Sequence, residues 1–179
     1  MAKNAPNRDS KKLVIRRATP SDAAEIHRLI LDFADSLGTV ERVSASAEDF
    51  ARASQTEPPA FEALIAERGG ASIGLCVFFN SFSTWTGRRG IYIQDLYVAE
   101  TARGLGLGRR LLAEAAAIAH ARGGNYLRLS VDIDNEGAKA FYRRLGLHQS
   151  SDERIYQVRG QDFAELAARA RQPKSRTLS

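Results

Sequence analysis

The sequence predicts one α/β (α+β) domain built on a mixed, mostly antiparallel sheet of six to seven strands with helices on both faces. Three observations predict it. Short β-favouring runs come early as a hairpin, Phe61–Glu67 and Ala71–Phe79 joined by Arg68-Gly69-Gly70. A strand pattern over Ile91–Val98 then runs through a glycine loop into a helix face of Leu107, Leu111, Leu112, Ala115, Ile118 and Ala119. That helix separates Val98 from the next strand at Tyr126 by enough chain for a parallel crossover.

Each element has a local cause. Leu13–Arg17 reads as a short strand. Thr19-Pro20-Ser21-Asp22 starts a helix: a hydroxyl cap, proline at the first position and an acid at the third. Its inner face is Ile26, Leu29, Ile30 and Phe33, and it ends near Leu37-Gly38. Ser46 to Asp49 is a capping-box start for a shorter helix carrying Phe50. Residues 80–89, with Trp85 and Gly87, read as a loop into the central strand. After the long helix, Arg122-Gly123-Gly124-Asn125 is a cap and turn. Tyr126–Asp132 reads as a strand, and Asn135 begins a helix with Ala138, Phe141, Tyr142 and Leu145 inward, closed by Gly146. Leu147–Ser150 and Arg154–Val158 read as a final pair of strands, and a short helix follows over Asp162–Arg171.

Charge and length narrow the class. A chain of 179 residues suits one core. Much of the +5 net charge sits at the ends, with Lys3, Arg8, Lys11 and Lys12 in residues 1–12 and Arg169, Arg171, Lys174 and Arg176 in residues 169–179. These read as disordered basic tails around a domain over residues 13–168, whose own balance is slightly acidic. That argues against a nucleic-acid partner, which a basic face in the core would serve. No apolar run reaches the length of a membrane span. Without a hydrophobic leader, and with the single thiol of Cys76 in an apolar strand, a cytoplasmic location is expected.

The glycine loop carries the chemistry. Backbone N–H groups at a helix start form an anion site, and glycines let a phosphate approach the main chain. Arg103, Arg109 and Arg110 add positive charge. The dinucleotide pattern G-x-G-x-x-G needs glycine where Arg109 stands, and the P-loop needs Lys-Ser/Thr after Gly108; neither fits. Arg103-x-x-Gly106-x-Gly108 does fit a third pattern. With the Asn135-Glu136 helix start and Ala140-Phe-Tyr-Arg-Arg-Leu-Gly146, the chain resembles the GNAT N-acetyltransferases over about residues 13–160. Trp85-x-Gly87, Ile91-Tyr-Ile-Gln-Asp-Leu-Tyr-Val98 and Phe141-Tyr-Arg-Arg144 are most similar to the spermidine/spermine (diamine) group.

The resemblance implies transfer of an acetyl group from acetyl-CoA to a primary amine of a small molecule, without a metal, by a homodimer. It implies that Leu96, Tyr97 and Val98 line the pantetheine arm. Arg103, Gly104, Leu105, Gly106, Leu107, Gly108 and Arg109 would hold the pyrophosphate, and Asn135 and Glu136 would contact the cofactor. Tyr142 would be the general acid that protonates the leaving thiolate; by pattern alone the plainer reading is an aromatic on an amphipathic helix, and the family context reverses it. An alkyl amine is almost wholly protonated at neutral pH, so a base is needed. The diamine group has glutamate where this chain has Gln94, which orients water but takes no proton. Asp95 is the alternative, as a base or as a structural carboxylate, with Asp132 and Asp134 behind it. Asp32 and Trp85 are the substrate candidates; a solvated helix face and a core or interface tryptophan are the plainer readings. Gln94 also leaves open a non-catalytic acyl-CoA-binding module.

Overall fold

The computed structural model describes residues 12–151 and 153–170. Most of both basic tails lies outside them. Contacts divide the chain into two compact units that meet at Ala138 and Lys139.

The first unit is built on five strands in the order β1 (Leu13–Arg17), β2 (Glu62–Arg68), β3 (Ala71–Ser83), β4 (Arg88–Val98) and β5 (Gly124–Leu129). The first four pair antiparallel and β4 pairs with β5 in parallel, so the mixed, mostly antiparallel class holds. Helices α1 (Ala23–Ser36) and α2 (Ala47–Ser54) follow β1, and α3 (Leu107–Ala121) makes the crossover to β5.

Alternation along the strands explains two covered faces. Ala63, Ile65, Leu75, Val77 and Tyr97 form one buried cluster with Ile26 and Leu29 of α1. The intervening positions Leu64, Ala66, Cys76 and Phe78 are equally buried. Gly74 between them faces α3: a Cβ there would stand 3.2 Å from Leu111 Cδ1. The predicted face of α3 is its buried face, Leu107, Leu111, Leu112, Ala115, Ile118 and Ala119. Cys76 is sealed in this layer, where burial pushes its thiol up to about 12, so it is inert as a nucleophile.

Polar ties lock the frame. Arg16 bridges Asp22 at 2.8 Å and Glu67 at 2.8 Å, which joins β1, β2 and the turn entering α1. The hydrogen bond from Arg16 drives the Asp22 carboxyl far below its ordinary range. Arg122, just past α3, forms a two-pronged pair with Glu62 on β2. At the start of β5, a Cβ on Gly90 would lie 2.6 Å from the Tyr126 ring, so glycine is required there for the strands to close.

The expectation of six to seven strands is corrected to five among the described residues. Leu147–Ser150 and Arg154–Val158 form no ladder, and Ile155 and Tyr156 are exposed. Alternating apolar residues give β-propensity, but a strand also needs a partner edge. The loop expected over residues 80–89 is also corrected. β3 runs on to Ser83 and β4 begins at Arg88, with a tight turn between them around Gly87 at φ 63°. β5 begins at Gly124 and ends at Leu129, earlier than the expected Tyr126–Asp132.

The second unit contains most of α4 (Glu136–Arg144) and α5 (Gly160–Arg169). Gly146, at φ 83°, lets the chain turn after α4, and the Gly146 and Leu147 N–H groups donate to the carbonyls of Arg143 and Tyr142.

Candidate active site

The site grows from a slip in one ladder. Along β3 and β4, Cys76 pairs with Leu96 and Val77 with Asp95, but Phe78 pairs with Ile93. Gln94 is the extra residue of a β-bulge. On the other side, pairing of β4 with β5 ends at Ile93 and Leu129. Residues 94–98 therefore have no strand partner on that edge among the described residues. Leu96, Tyr97 and Val98, the expected pantetheine-lining residues, lie on this unpaired edge. The Val98 carbonyl accepts from Arg103 Nε at 3.3 Å.

At the end of this edge stands the glycine loop. A single 3-10 turn, Glu100–Ala102, leads into Arg103. Gly104 has φ 77° and Gly106, the residue capping α3, has φ 72°. Both conformations exclude ordinary L-residues, and nothing lies within 4 Å of where a Cβ would project. The first N–H groups of α3, at Leu107, Gly108 and Arg109, have no intrahelical partner, and Gly106 has no side chain to cap them. Arg103, Leu105, Arg109 and Arg110 are exposed around them, while Leu107 is buried and anchors the turn. Open space, free donors and cationic rims fit a pyrophosphate.

Asp95 is half-buried, and its side chain makes no hydrogen bond or ion pair among the described residues. Burial alone pushes its carboxyl up to about 6. Among the described residues no buried side-chain polar atom is left without a partner, so the Asp95 oxygens reach solvent. Its register partner Val77 belongs to the cluster under α1, which puts Asp95 on the α1 face. Gln94 beside it is exposed.

Two residues further on the same face, Tyr97 lines a cavity of about 290 Å³ with Asp32, Asp35, Ser36, Glu100 and Arg103. Asp32 is held by Arg28 at 2.6 Å. The Tyr97 phenol is raised above its ordinary value, first by burial and then by the charge of Asp32. Glu100 and Ser36 were not singled out from the sequence; no motif marks them, and only the packing of α1 against the end of β4 brings them together. Trp85 is elsewhere, 98% exposed in the turn between β3 and β4, and it does not line this cavity.

Asn135 caps α4: its side-chain oxygen accepts from the Ala138 N–H at 2.9 Å. Glu136, exposed, follows as the first residue of α4. Asp132 accepts from the Asp134 N–H at 2.9 Å in the preceding turn. Tyr142 lies in the last turns of α4, in the second unit, with its ring edge-on to Phe141 at 5.1 Å. Among the described residues no three His, Cys, Asp or Glu side chains gather to hold a metal.

The profile of the acetyltransferase (GNAT) family matches residues 24–147. The chain belongs to the GNAT acetyltransferase family. GNAT enzymes use acetyl-CoA as the acetyl donor, and the bulged strand and glycine loop lie inside the matched segment. The chain is 30% identical to thialysine N-epsilon-acetyltransferase of Bos taurus over 168 residues, covering 88% of this chain and 98% of the relative. It is 28% identical to spermidine/spermine N(1)-acetyltransferase-like protein 1 of Homo sapiens, covering 86% of this chain and 23% of that protein. An integron cassette protein of V. cholerae superposes with a TM-score of 0.73 at 21% identity, over 87% of this chain and 97% of that one, which supports the fold. No helix among the described residues is long and apolar enough to cross a membrane.

Proposed function

We propose that this GNAT acetyltransferase moves an acetyl group from acetyl-CoA to a primary amine of a small molecule, by direct attack on the thioester, with Asp95 as the base. The observation that carries this is the half-buried, unpaired Asp95 carboxyl, raised to about 6, beside the bulge in β4. A primary ammonium must lose its proton before it attacks, and a carboxylate near 6 takes it at neutral pH far better than one near 4. Gln94 orients the water or amine at the same bulge. The open edge at Leu96–Val98 holds the pantetheine arm, and a backbone N–H there polarises the thioester carbonyl. Arg103 to Arg109 hold the pyrophosphate, and Asn135 and Glu136 face the cofactor. Tyr142 donates its phenolic proton to the departing thiolate.

Asp32, with Asp35 and Glu100, makes the approach to Tyr97 negative and favours a cationic acceptor. That a relative is named for thialysine supports an amine on a small molecule. We further propose that the enzyme works as a homodimer, in line with the family resemblance, and in the cytoplasm, where the lone thiol of Cys76 stays reduced. The test is the pH dependence of kcat/KM for acetyl transfer. It rises with unit slope to a break near 6 and then levels. A rise that continues without a break to the pKa of the amine removes Asp95 as the base.

A further inference from the structure

Arg103 stands at a corner that two sites share. The Ala99 N–H donates to the Ile73 carbonyl at 2.9 Å, on the β3 side of β4. The carbonyl and N–H of one planar, trans peptide group point in opposite directions. The Val98 carbonyl therefore points away from β3, toward the unpaired edge of β4. Arg103 Nε donates to that carbonyl at 3.3 Å. The same side chain lines the cavity of about 290 Å³ that holds Asp32, Asp35, Glu100 and Tyr97. Its charge is felt there: burial and then Asp32 raise the Tyr97 phenol, and Arg103 lowers it. One exposed guanidinium thus sits on the edge that the cofactor needs and offsets the acids of the cavity that the acceptor needs.

We propose that Arg103 is a positioning residue that couples the two sites: acetyl-CoA draws its guanidinium out of the acid cavity and so raises the affinity of that cavity for a cation. The proposal rests on the reading of the cavity as the cationic acceptor's approach and of the glycine loop as the pyrophosphate site. The bond to Val98 is a single, long hydrogen bond to a neutral oxygen. A pyrophosphate offers charged oxygens that a guanidinium grips through two parallel bonds. The loop that receives it begins at the next residue, Gly104, so the side chain has only to turn. Turning releases the Val98 carbonyl to the amide arm of the cofactor. It also takes away the one cation among the residues that line the cavity. Asp32 keeps its partner Arg28, while Asp35 and Glu100 face an incoming ammonium with no positive charge on the wall to oppose it. Coupling of this kind is reciprocal, so a bound cation strengthens the cofactor in turn.

The test is calorimetry on the full chain with cadaverine as the cationic probe and CoA as the cofactor, since CoA carries the pyrophosphate but no acetyl group to transfer. In wild type, saturating CoA should tighten cadaverine binding about five-fold or more, the range for coupled sites, and cadaverine should tighten CoA by the same factor. Arg103→Gln should tighten cadaverine on the CoA-free protein by a similar factor, remove most of the further gain from CoA, and weaken CoA itself. An arginine that only grips phosphate would weaken CoA and leave CoA-free cadaverine binding unmoved. Arg109→Gln controls for net charge: Arg109 flanks the same loop but does not line the cavity, so this variant should weaken CoA without tightening cadaverine. Both arginines are exposed, and urea unfolding checks that both variants fold. The role of Arg103 is overturned alone if cadaverine binds wild type equally with and without CoA, if the coupling survives Arg103→Gln, or if Arg109→Gln tightens cadaverine as much. If cadaverine binds in no state, the reading of the cavity as a cation site falls and the coupling with it.

Discussion

Asp95→Asn separates stability from activity. The folded protein raises this carboxyl from an ordinary 3.8 to about 6 through burial. Such a group binds its proton more tightly in the folded state than in the unfolded one. Stability therefore falls as pH rises from about 4 through about 6, and above that the loss is complete. Moving a carboxyl from 3.8 to about 6 corresponds to about 3 kcal/mol, an upper figure for a half-buried side chain. Asparagine has nearly the same shape and no charge, so it carries no such slope. Urea unfolding should show wild type and Asp95→Asn nearly equal at pH 4, and the variant ahead by up to about 3 kcal/mol at pH 8. The same variant should lose most of its acetyl transfer while keeping its affinity for acetyl-CoA. A variant less stable than wild type at pH 8 would refute the reasoning, because it would mean that the carboxylate is held by favourable partners.

Other outcomes follow from the same geometry. Tyr142→Phe should lower kcat by about a hundred-fold, within the range of general acid catalysis, with cofactor affinity measured by calorimetry nearly unchanged; unchanged turnover would remove Tyr142 from the mechanism. Gly106→Ala forces an L-residue to φ 72°, costs roughly 1–2 kcal/mol and should weaken acetyl-CoA binding more than it lowers the melting temperature. Asp32→Asn should raise KM for a cationic amine and leave KM for acetyl-CoA alone, checked by steady-state kinetics at low and high salt. Arg122→Ala removes the partner of Glu62 on β2 and should destabilise the fold by no more than about 1 kcal/mol, read by urea unfolding, with kcat unchanged.

What the sequence disclosed depended on how local its cause was. The starts of α1 and α2 were visible because proline, hydroxyl and acid side chains act within one turn. The α3 face was visible because six apolar residues repeat at three and four. The glycine loop was visible because positive φ at Gly104 and Gly106 admits little else. The bulge at Gln94 was not, since a register slip exists only between two strands and neither strand encodes it alone. The raised carboxyl of Asp95 was equally hidden: Gln94 and Asp95 are adjacent polar residues, and only the packing under α1 buries one and leaves the other exposed. Glu100 and Asp35 meet at Tyr97 through tertiary packing that no spacing rule reports. The last two expected strands show the opposite error, in which a true β pattern at Arg154–Val158 found no ladder to join.

The central claim is that this protein acetylates a small primary amine at the open edge of β4. A thiol-release assay with acetyl-CoA tests it most directly, run against free amino acids, short diamines, spermidine, aminoglycosides and peptide N-termini. Acceptor-dependent release of CoA is expected with at least one small amine, most of it abolished by Asp95→Asn. Tight acetyl-CoA binding with no release on any of these amines would contradict it.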